Sequence, residues 1–193
     1  MDRKKRLTGS VWKTAKAAAK WMKMCDNSPA DIILENIADF GPHDRVLDFG
    51  CGNGRNAVPV LRRGAQVTLA DVNPYLLEDA QQAARKTGGA FEAVKIEERP
   101  SFPNDYTRII LIGVLHACPD KAEILRGCYE WLKYGGRLYS SSLGESLDCK
   151  SPYRFGSFRD FLAAHMACGF RQIVGKESWN GRSVIYDGIF EKR

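Results

Sequence analysis

The sequence predicts an α/β fold: a doubly wound, mostly parallel seven-stranded sheet with an antiparallel C-terminal edge hairpin. Three observations predict it. Short runs rich in apolar residues alternate with helical periodicities along most of the chain, the pattern of a parallel sheet with crossover helices. The first of these runs leads directly into a glycine-rich turn and then a helix. The last two are separated only by Trp179-Asn180-Gly181, a connection too short for a crossover and suited to a hairpin.

The elements follow in order. From Ser10 to Asp26, Val11, Ala15, Ala18, Met22 and Cys25 recur at helical spacing while Lys13, Lys16, Lys20 and Lys23 fall opposite them, which predicts a basic amphipathic helix flanked by Trp12 and Trp21. Such a helix has three readings: a lid docked over a pocket with its lysines solvated, a membrane-surface anchor, or a nucleic-acid arm. Its basic, acid-poor start is also similar to a mitochondrial transit peptide. Ala30 to Phe40 predicts a second helix, stopped by Gly41 and Pro42. The strand Arg45 to Phe49 precedes Gly50-Cys51-Gly52-Asn53-Gly54, and a helix resumes from Asn56 to Arg63. Gln66 to Ala70 reads as a strand, Pro74 to Lys86 as a helix, Phe91 to Ile96 as a strand, and Thr107 to Leu115 as a strand apolar enough to be covered on both faces. Lys121 to Leu132 reads as a helix, Gly136 to Leu143 as a strand, Phe158 to Cys168 as a helix, and Arg171 to Glu177 and Ser183 to Glu191 as the closing pair.

The 193 residues are 44% hydrophobic and 27% charged, enough for one sizeable core, so a single domain over 27–193 is expected behind the N-terminal helix of 1–26. Charged residues interrupt every hydrophobic stretch well short of the roughly 20 residues that span a bilayer, which excludes a membrane-spanning helix. Six scattered cysteines without a CxxC pair or a signal segment point to reduced thiols and a cytoplasmic location. The net charge of +6 sits at one end: residues 1–26 carry eight basic and two acidic side chains, and the rest of the chain balances. RNA, if bound, is therefore expected at residues 3–23 rather than on the body of the domain.

In an open α/β sheet, ligands bind beyond the carboxyl ends of the strands. Gly50, Gly52 and Gly54 let the backbone approach a ligand, and Asp71 stands about 20 residues on, at the end of the second strand, where a carboxylate accepts ribose hydroxyls. Spacing then separates two cofactor classes. A dinucleotide turn needs G-x-G-x-x-G, whereas this chain reads G-C-G-N-G with Asp48 two residues before the first glycine. A carboxylate there opposes a pyrophosphate and suits a cofactor carrying an ammonium and a sulfonium.

At these residues the chain resembles the class I S-adenosylmethionine-dependent methyltransferases, in their small-molecule branch. VLDFGCGNGRNA (46–57) is similar to the first family motif, LADVNPYLLEDA (69–80) to the acidic second-strand motif, IGVLHACPD (112–120) to the fourth-strand motif, and KYGGRLYSSS (133–142) to the turn before strand five, with Tyr134 where a proline is usual. The resemblance covers roughly 30–193 and implies a Rossmann-like methyltransferase fold that binds S-adenosylmethionine. It implies that Gly50 and Gly52 line the methionine part, that Asp48 bonds near its amino group, and that Asp71 holds the ribose. Cys51, Asn53 and Gly113 join the implied cofactor set. Adenine is implied near Val72 and the end of strand three, where Lys95-Ile96-Glu97 departs from the usual Gly-Asp-Ala, so that either Ile96 or Glu97 faces the ring.

Methyl transfer from a sulfonium is an in-line displacement with an activated leaving group, so alignment and desolvation carry most of it and a base is optional. His116, after the fourth strand, is the candidate base for a hydroxyl acceptor, with a wall-shaping histidine as the competing reading. His43, before the first strand, and His165, inside the late helix, read as structural. Cys51 reads as a small packed hydrophobe. The Cys118-Pro119 order is the reverse of that in cytosine-C5 methyltransferases, and the Asp/Asn-Pro-Pro-Tyr segment of exocyclic-amine methylation is not in the sequence. No cluster has metal-ligand spacing, so no metal is expected. The N-terminal helix, with Trp12, Trp21 and Met22, is the expected lid, and Tyr153, Arg154 and Phe155 are either an opposite pocket wall or an ordinary surface turn. Three functions follow: a methyltransferase acting on a small molecule; an RNA or protein-tail methyltransferase using the basic arm; or a cofactor-binding partner subunit without turnover.

Overall fold

The computed structural model describes residues 13–24, 27–97, 100–147 and 149–193. Seven strands run in the order β3-β2-β1-β4-β5-β7-β6. The chain divides into two compact units, one drawn from Gly9–Pro100 and one from Ser101–Arg193.

In the first unit, β1 (Arg45–Phe49), β2 (Gln66–Asp71) and β3 (Phe91–Lys95) pair in parallel, with Val46 beside Val67 and Val67 beside Phe91. Four residues of β1 and five of β2 are buried, including Val46, Leu47, Val67, Leu69 and Ala70. The helices α3 (Ala57–Arg62) and α4 (Pro74–Arg85) bring Val60, Leu61, Leu76, Leu77 and Ala80 into the core. α4 starts where Asn73 caps it: its side-chain oxygen accepts from the Tyr75 and Leu76 amides at 3.0 and 3.2 Å, and Pro74 fits the first helical position. Ahead of the sheet, α1 (Ala15–Met24) buries Ala18 and leaves Lys16, Lys20 and Lys23 exposed, the solvated lysine face of a docked helix. Val11, Trp12 and Cys25 lie outside the described residues.

In the second unit, β4 (Tyr106–Ile112) pairs in parallel with β5 (Leu132–Ser146), and β5, β7 (Ser183–Lys192) and β6 (Phe170–Trp179) pair antiparallel. Phe161 of α6 (Phe158–Met166) gathers Phe155, Phe158, Tyr186 and Phe190 at ring distances of 5.4 to 6.2 Å. His165 belongs to the same core. Its Nδ1 lies 2.7 Å from the Phe161 carbonyl oxygen, so Nδ1 carries the proton and Nε2, 3.0 Å from Ser140 Oγ, accepts from that hydroxyl. The ring stacks on Phe190 at 4.0 Å, and burial lowers its pKa from 6.5 to about 4.

Three boundaries differ from expectation. The second helix is split into α2 (Asp31–Glu35) and a 3-10 turn at Ile37–Asp39, because the Asn36 side chain donates to the Ile32 carbonyl at 2.8 Å and competes with the helix backbone. The fourth strand stops at Ile112 rather than Leu115: Gly113 turns to φ +73° and a 3-10 turn follows at Leu115–Ala117. The fifth strand begins directly after α5 (Lys121–Trp131), at Leu132 rather than Gly136, with its pairing register shifting across the intervening turn. The edge hairpin closes as expected, with Asn180 accepting from the Arg182 and Ser183 amides at 3.0 and 2.8 Å. Among the described residues no helix is long and apolar enough to cross a membrane.

Candidate functional site

The glycine turn is built by the end of β2. The Asp71 Oδ2 accepts from the Gly52 amide at 2.8 Å, and its Oδ1 accepts from the Asn73 amide, also at 2.8 Å. One carboxylate thus ties the turn after β1 to the start of α4. Gly52 (φ +55°) and Gly54 (φ +81°) hold backbone angles that side chains resist, and a methyl on Gly54 would meet the Ala80 backbone at 3.1 Å. The turn is anchored on its other flank by Asn53 Nδ2 donating to Asn27 Oδ1 at 2.8 Å, Arg55 donating to the Ser28 carbonyl at 3.1 Å, and the buried Asn56 accepting from the Ala30 amide at 2.9 Å.

Asp48, the penultimate residue of β1, is 1% exposed, and its Oδ2 has no hydrogen-bond partner among the described residues. Burial chiefly, then the neighbouring Asp71 charge, raises its pKa to about 7 against a smaller lowering by Arg55. Asp71 is also raised by burial, offset by its backbone donors, and Cys51 is pushed up by burial and by both carboxylates. Two buried carboxylates, one with an unmatched oxygen and its pKa raised in part by the other's charge, repel a pyrophosphate and accept a cationic ligand. The residues present therefore fit the ammonium end of S-adenosylmethionine.

Trp21 of α1 lies on this turn, its indole carbons 2.9 to 3.5 Å from where a side chain on Gly52 would begin, and the Arg55 guanidinium stands 5.8 Å from the ring centroid. Asn73 Nδ2 donates to the Thr14 carbonyl at 3.1 Å, tethering the start of that helix to the end of β2. Met22, on the same helix, is 37% exposed and Trp12 lies outside the described residues. At the end of β3, Ile96 is buried and its amide donates to the Asp71 carbonyl at 2.8 Å, while Glu97 is exposed and pairs with Lys95 at 3.2 Å. Val72 is half-buried beside them.

The second unit carries the remaining candidates. Gly113 and His116 share the turn after β4, with His116 Cε1 3.9 Å from where a Gly113 side chain would begin. The His116 Nδ1 is buried without a hydrogen-bond partner among the described residues, and burial, then Arg154 and Lys121, lowers its pKa to about 4, so it is neutral at pH 7. Ser151 Oγ donates to the His116 carbonyl at 2.5 Å, which docks the 149–157 loop against that turn. In that loop Tyr153 is exposed, Arg154 is half-buried, and Phe155 packs edge-on against Phe161, placing it in the core as much as on any wall. Cys118 is buried with its thiol pushed up to about 11, His43 is exposed before β1, and His165 is the core histidine already described.

Sequence reasoning passed over three contributors. Asn73 was legible as an Asn-Pro helix start at a strand end. Arg55 and Lys121 carried no such signal, because each is one basic residue among many until the fold sets it beside Trp21 or His116.

Residues 47–138 match a family described as methyltransferase domain. A ubiquinone biosynthesis O-methyltransferase from Xanthomonas euvesicatoria is 32% identical over 105 residues, 53% of this chain and 44% of that protein, so the chain spans under half the length of this relative. Among solved structures, a SAM-dependent methyltransferase from Aquifex aeolicus superposes with a TM-score of 0.70 at 19% identity, over 89% of this chain and 97% of the other. The [4+2]-cyclase SpnF superposes with a TM-score of 0.70 at 16% identity, over 97% of this chain and 86% of its own. At these identities the structures speak for the fold, and the sequence match speaks for the domain. Residues 47–138 thus match a methyltransferase domain, and the fold of the chain is that of these solved structures.

Proposed function

We propose that the protein is an S-adenosylmethionine-dependent methyltransferase acting on a hydroxyl group of a small-molecule acceptor by in-line transfer. The observation that carries this reading is the buried Asp48 carboxylate with its partnerless Oδ2 at the glycine turn. Leaving a buried acceptor unmatched costs about 1–3 kcal/mol, so the fold maintains this group against its own stability, as expected where a cationic ligand completes it. The partial match to an O-methyltransferase supports oxygen as the acceptor atom.

S-Adenosylmethionine supplies the activated methyl group; the chain binds, orients and dries the site. Asp48 accepts from the ammonium. Asp71, with one lone pair on each oxygen already used by a backbone amide, keeps the others for the ribose hydroxyls. Gly50 and Gly52 admit the methionine portion to the backbone, the buried Ile96 gives the adenine an apolar edge, and Trp21 covers the turn and excludes water. Trp21 would add cation–π stabilisation of roughly 0.5–2 kcal/mol to a cationic cofactor held at this turn. In the second unit, the neutral His116 Nδ1 is the available acceptor for the proton of an acceptor hydroxyl.

The test is turnover of hydroxylated aromatic acceptors with S-adenosylmethionine, read as methylated product by mass spectrometry together with S-adenosylhomocysteine release. Product with stoichiometric release supports the reading. Tight cofactor binding with no turnover of small acceptors, but methylation of RNA, would overturn it in favour of the basic arm, whose affinity would fall steeply with salt.

A further inference from the structure

The region around His116 holds two cations that the proposed chemistry has not used. Arg154 is fixed by its own backbone bonds: Nε donates to the Ser151 carbonyl at 3.1 Å and Nη1 to the Gly144 carbonyl at 3.3 Å. Lys121, at the start of α5, holds its ammonium 5.1 Å from the Phe155 ring centroid and 6.0 Å from that of Tyr153. Among the described residues neither has a carboxylate partner; ion pairs there lie elsewhere, at Lys95–Glu97 and Arg171–Glu191. Asp120, one residue before Lys121, is occupied as the cap of α5, its Oδ1 accepting from the Glu123 amide at 3.0 Å. Both charges act on His116, whose Nδ1 is buried without a partner among the described residues and whose carbonyl holds Ser151, the residue that accepts from Arg154.

We infer that Lys121 and Arg154 form an anion subsite beside the His116 imidazole, and that it takes the carboxylate of an acidic, aromatic acceptor. This rests on the methyltransferase reading and names its substrate class. A planar guanidinium held by its backbone bonds suits a carboxylate, and Tyr153 with Lys121 over its ring supplies an aromatic flank. Half-buried cations lose hydration without gaining a counter-ion, so an incoming carboxylate meets charges that the fold has left unneutralised.

A second property follows for the histidine. The charges acting on His116 are Arg154 from the 149–157 loop and Lys121 from α5; β5, which packs against the same turn, contributes none, and Cys118 acts on Lys121 instead. Burial is the first cause of the lowered His116 pKa and the two cations add to it, so neutralising them removes the part of the opposition to protonation that is charge repulsion. The carboxylate thus raises the proton affinity of His116, and by linkage its own binding strengthens as the pH falls. The base becomes competent when the acceptor is seated.

The test uses the full chain, free of cofactor, with benzoate as the probe and benzamide as its neutral counterpart. The His116 ring resonance is titrated by NMR from pH 3.5 to 8, with assignment by His116→Gln. The expected result is saturable benzoate binding that raises the His116 pKa by about one pH unit or more, with no shift from benzamide. Lys121→Met is expected to weaken benzoate about tenfold, and Arg154→Lys, which keeps the charge and removes the fork, by a smaller factor. Equal effects of benzoate and benzamide, an unmoved His116 under saturating benzoate, or an unchanged affinity in folded Lys121→Met would each overturn the proposal. S-Adenosylmethionine binding through Asp48, measured on the same variants by calorimetry, fails or survives independently and separates loss of this subsite from loss of the methyltransferase reading.

Discussion

At the scale of single residues, Asp48 is where the proposed function opposes stability. Its carboxyl is held at about 7 by burial and by Asp71, so ionisation is cheap in the unfolded chain and costly in the folded one. The penalty is absent below the ordinary carboxylate range, grows between about pH 4 and pH 7, and is complete above. Asp48→Asn is therefore expected to raise the melting temperature at pH 8 while weakening S-adenosylmethionine about a hundredfold, the scale of a lost charge-assisted bond. In the wild type, cofactor affinity is expected to fall by up to about tenfold per pH unit below 7, as the protonated acid stops accepting from the ammonium. Gly52 permits a second measurement. A methyl there meets the Trp21 ring at 2.9 Å and also strains a φ of +55°. Gly52→Ala is expected to destabilise by about 1–2 kcal/mol from the backbone alone, with a further loss that disappears when it is combined with Trp21→Ala. The positions of Asp48 and Asp71 were legible in the sequence because their spacing from the glycines fixes them at adjacent strand ends. The choice between Ile96 and Glu97 was not, since side-chain direction at a strand terminus depends on where Lys95 goes.

At the scale of elements, α1 is the part whose proposed role as a lid came from the pattern of its residues and whose seat came from the fold. Apolar and lysine faces were visible at helical spacing, but only the tertiary structure shows the Trp21 indole against Gly52 and Asn73 reaching the Thr14 carbonyl. Trp21→Ala is expected to weaken S-adenosylmethionine about five- to thirtyfold, the range of one cation–π contact plus its share of apolar cover, with little change in melting temperature. Its intrinsic fluorescence reports the same event, changing on cofactor binding in a variant whose other tryptophans are replaced by phenylalanine. Cofactor affinity unchanged in Trp21→Ala would make α1 a passive helix. The other element boundaries were read to within a few residues, and the misses have local causes. Asn36 competes for a helix carbonyl, Gly113 ends a strand inside an apolar run, and β5 resumes pairing through a turn that looks like a loop. Each is a case of one side chain or one φ angle overriding periodicity.

At the scale of the whole molecule, buried histidines and buried carboxylates set the response to acid in opposing directions. His116 and His165 are both lowered from 6.5 to about 4, so the unfolded chain takes their protons first and stability is lost as the pH falls from about 6.5 to 4, by at most about 3 kcal/mol for each. Asp48 runs the other way across the same window, since the folded state takes its proton first. The wild type is therefore expected to lose stability gently between pH 7 and 4, and Asp48→Asn, lacking the compensating group, to lose it more steeply from a higher starting point. Melting temperatures across that range, measured for both proteins at fixed ionic strength, check the sign; parallel curves would mean that Asp48 ionises freely in the fold. The α/β order, the edge hairpin and the glycine turn were all readable because backbone geometry is written in short-range patterns. The paired cations beside His116 were not, because Lys121 and Arg154 come together only through the docking of the 149–157 loop.

The most direct measurement is calorimetric titration of S-adenosylmethionine into the full chain at pH 7.5, for the wild type and Asp48→Asn, with melting curves recorded on the same samples. The account predicts one site per chain in the wild type and near-complete loss of binding in a variant that is folded and at least as stable. Wild-type affinity in folded Asp48→Asn, or a folded wild type that binds no cofactor, would contradict it.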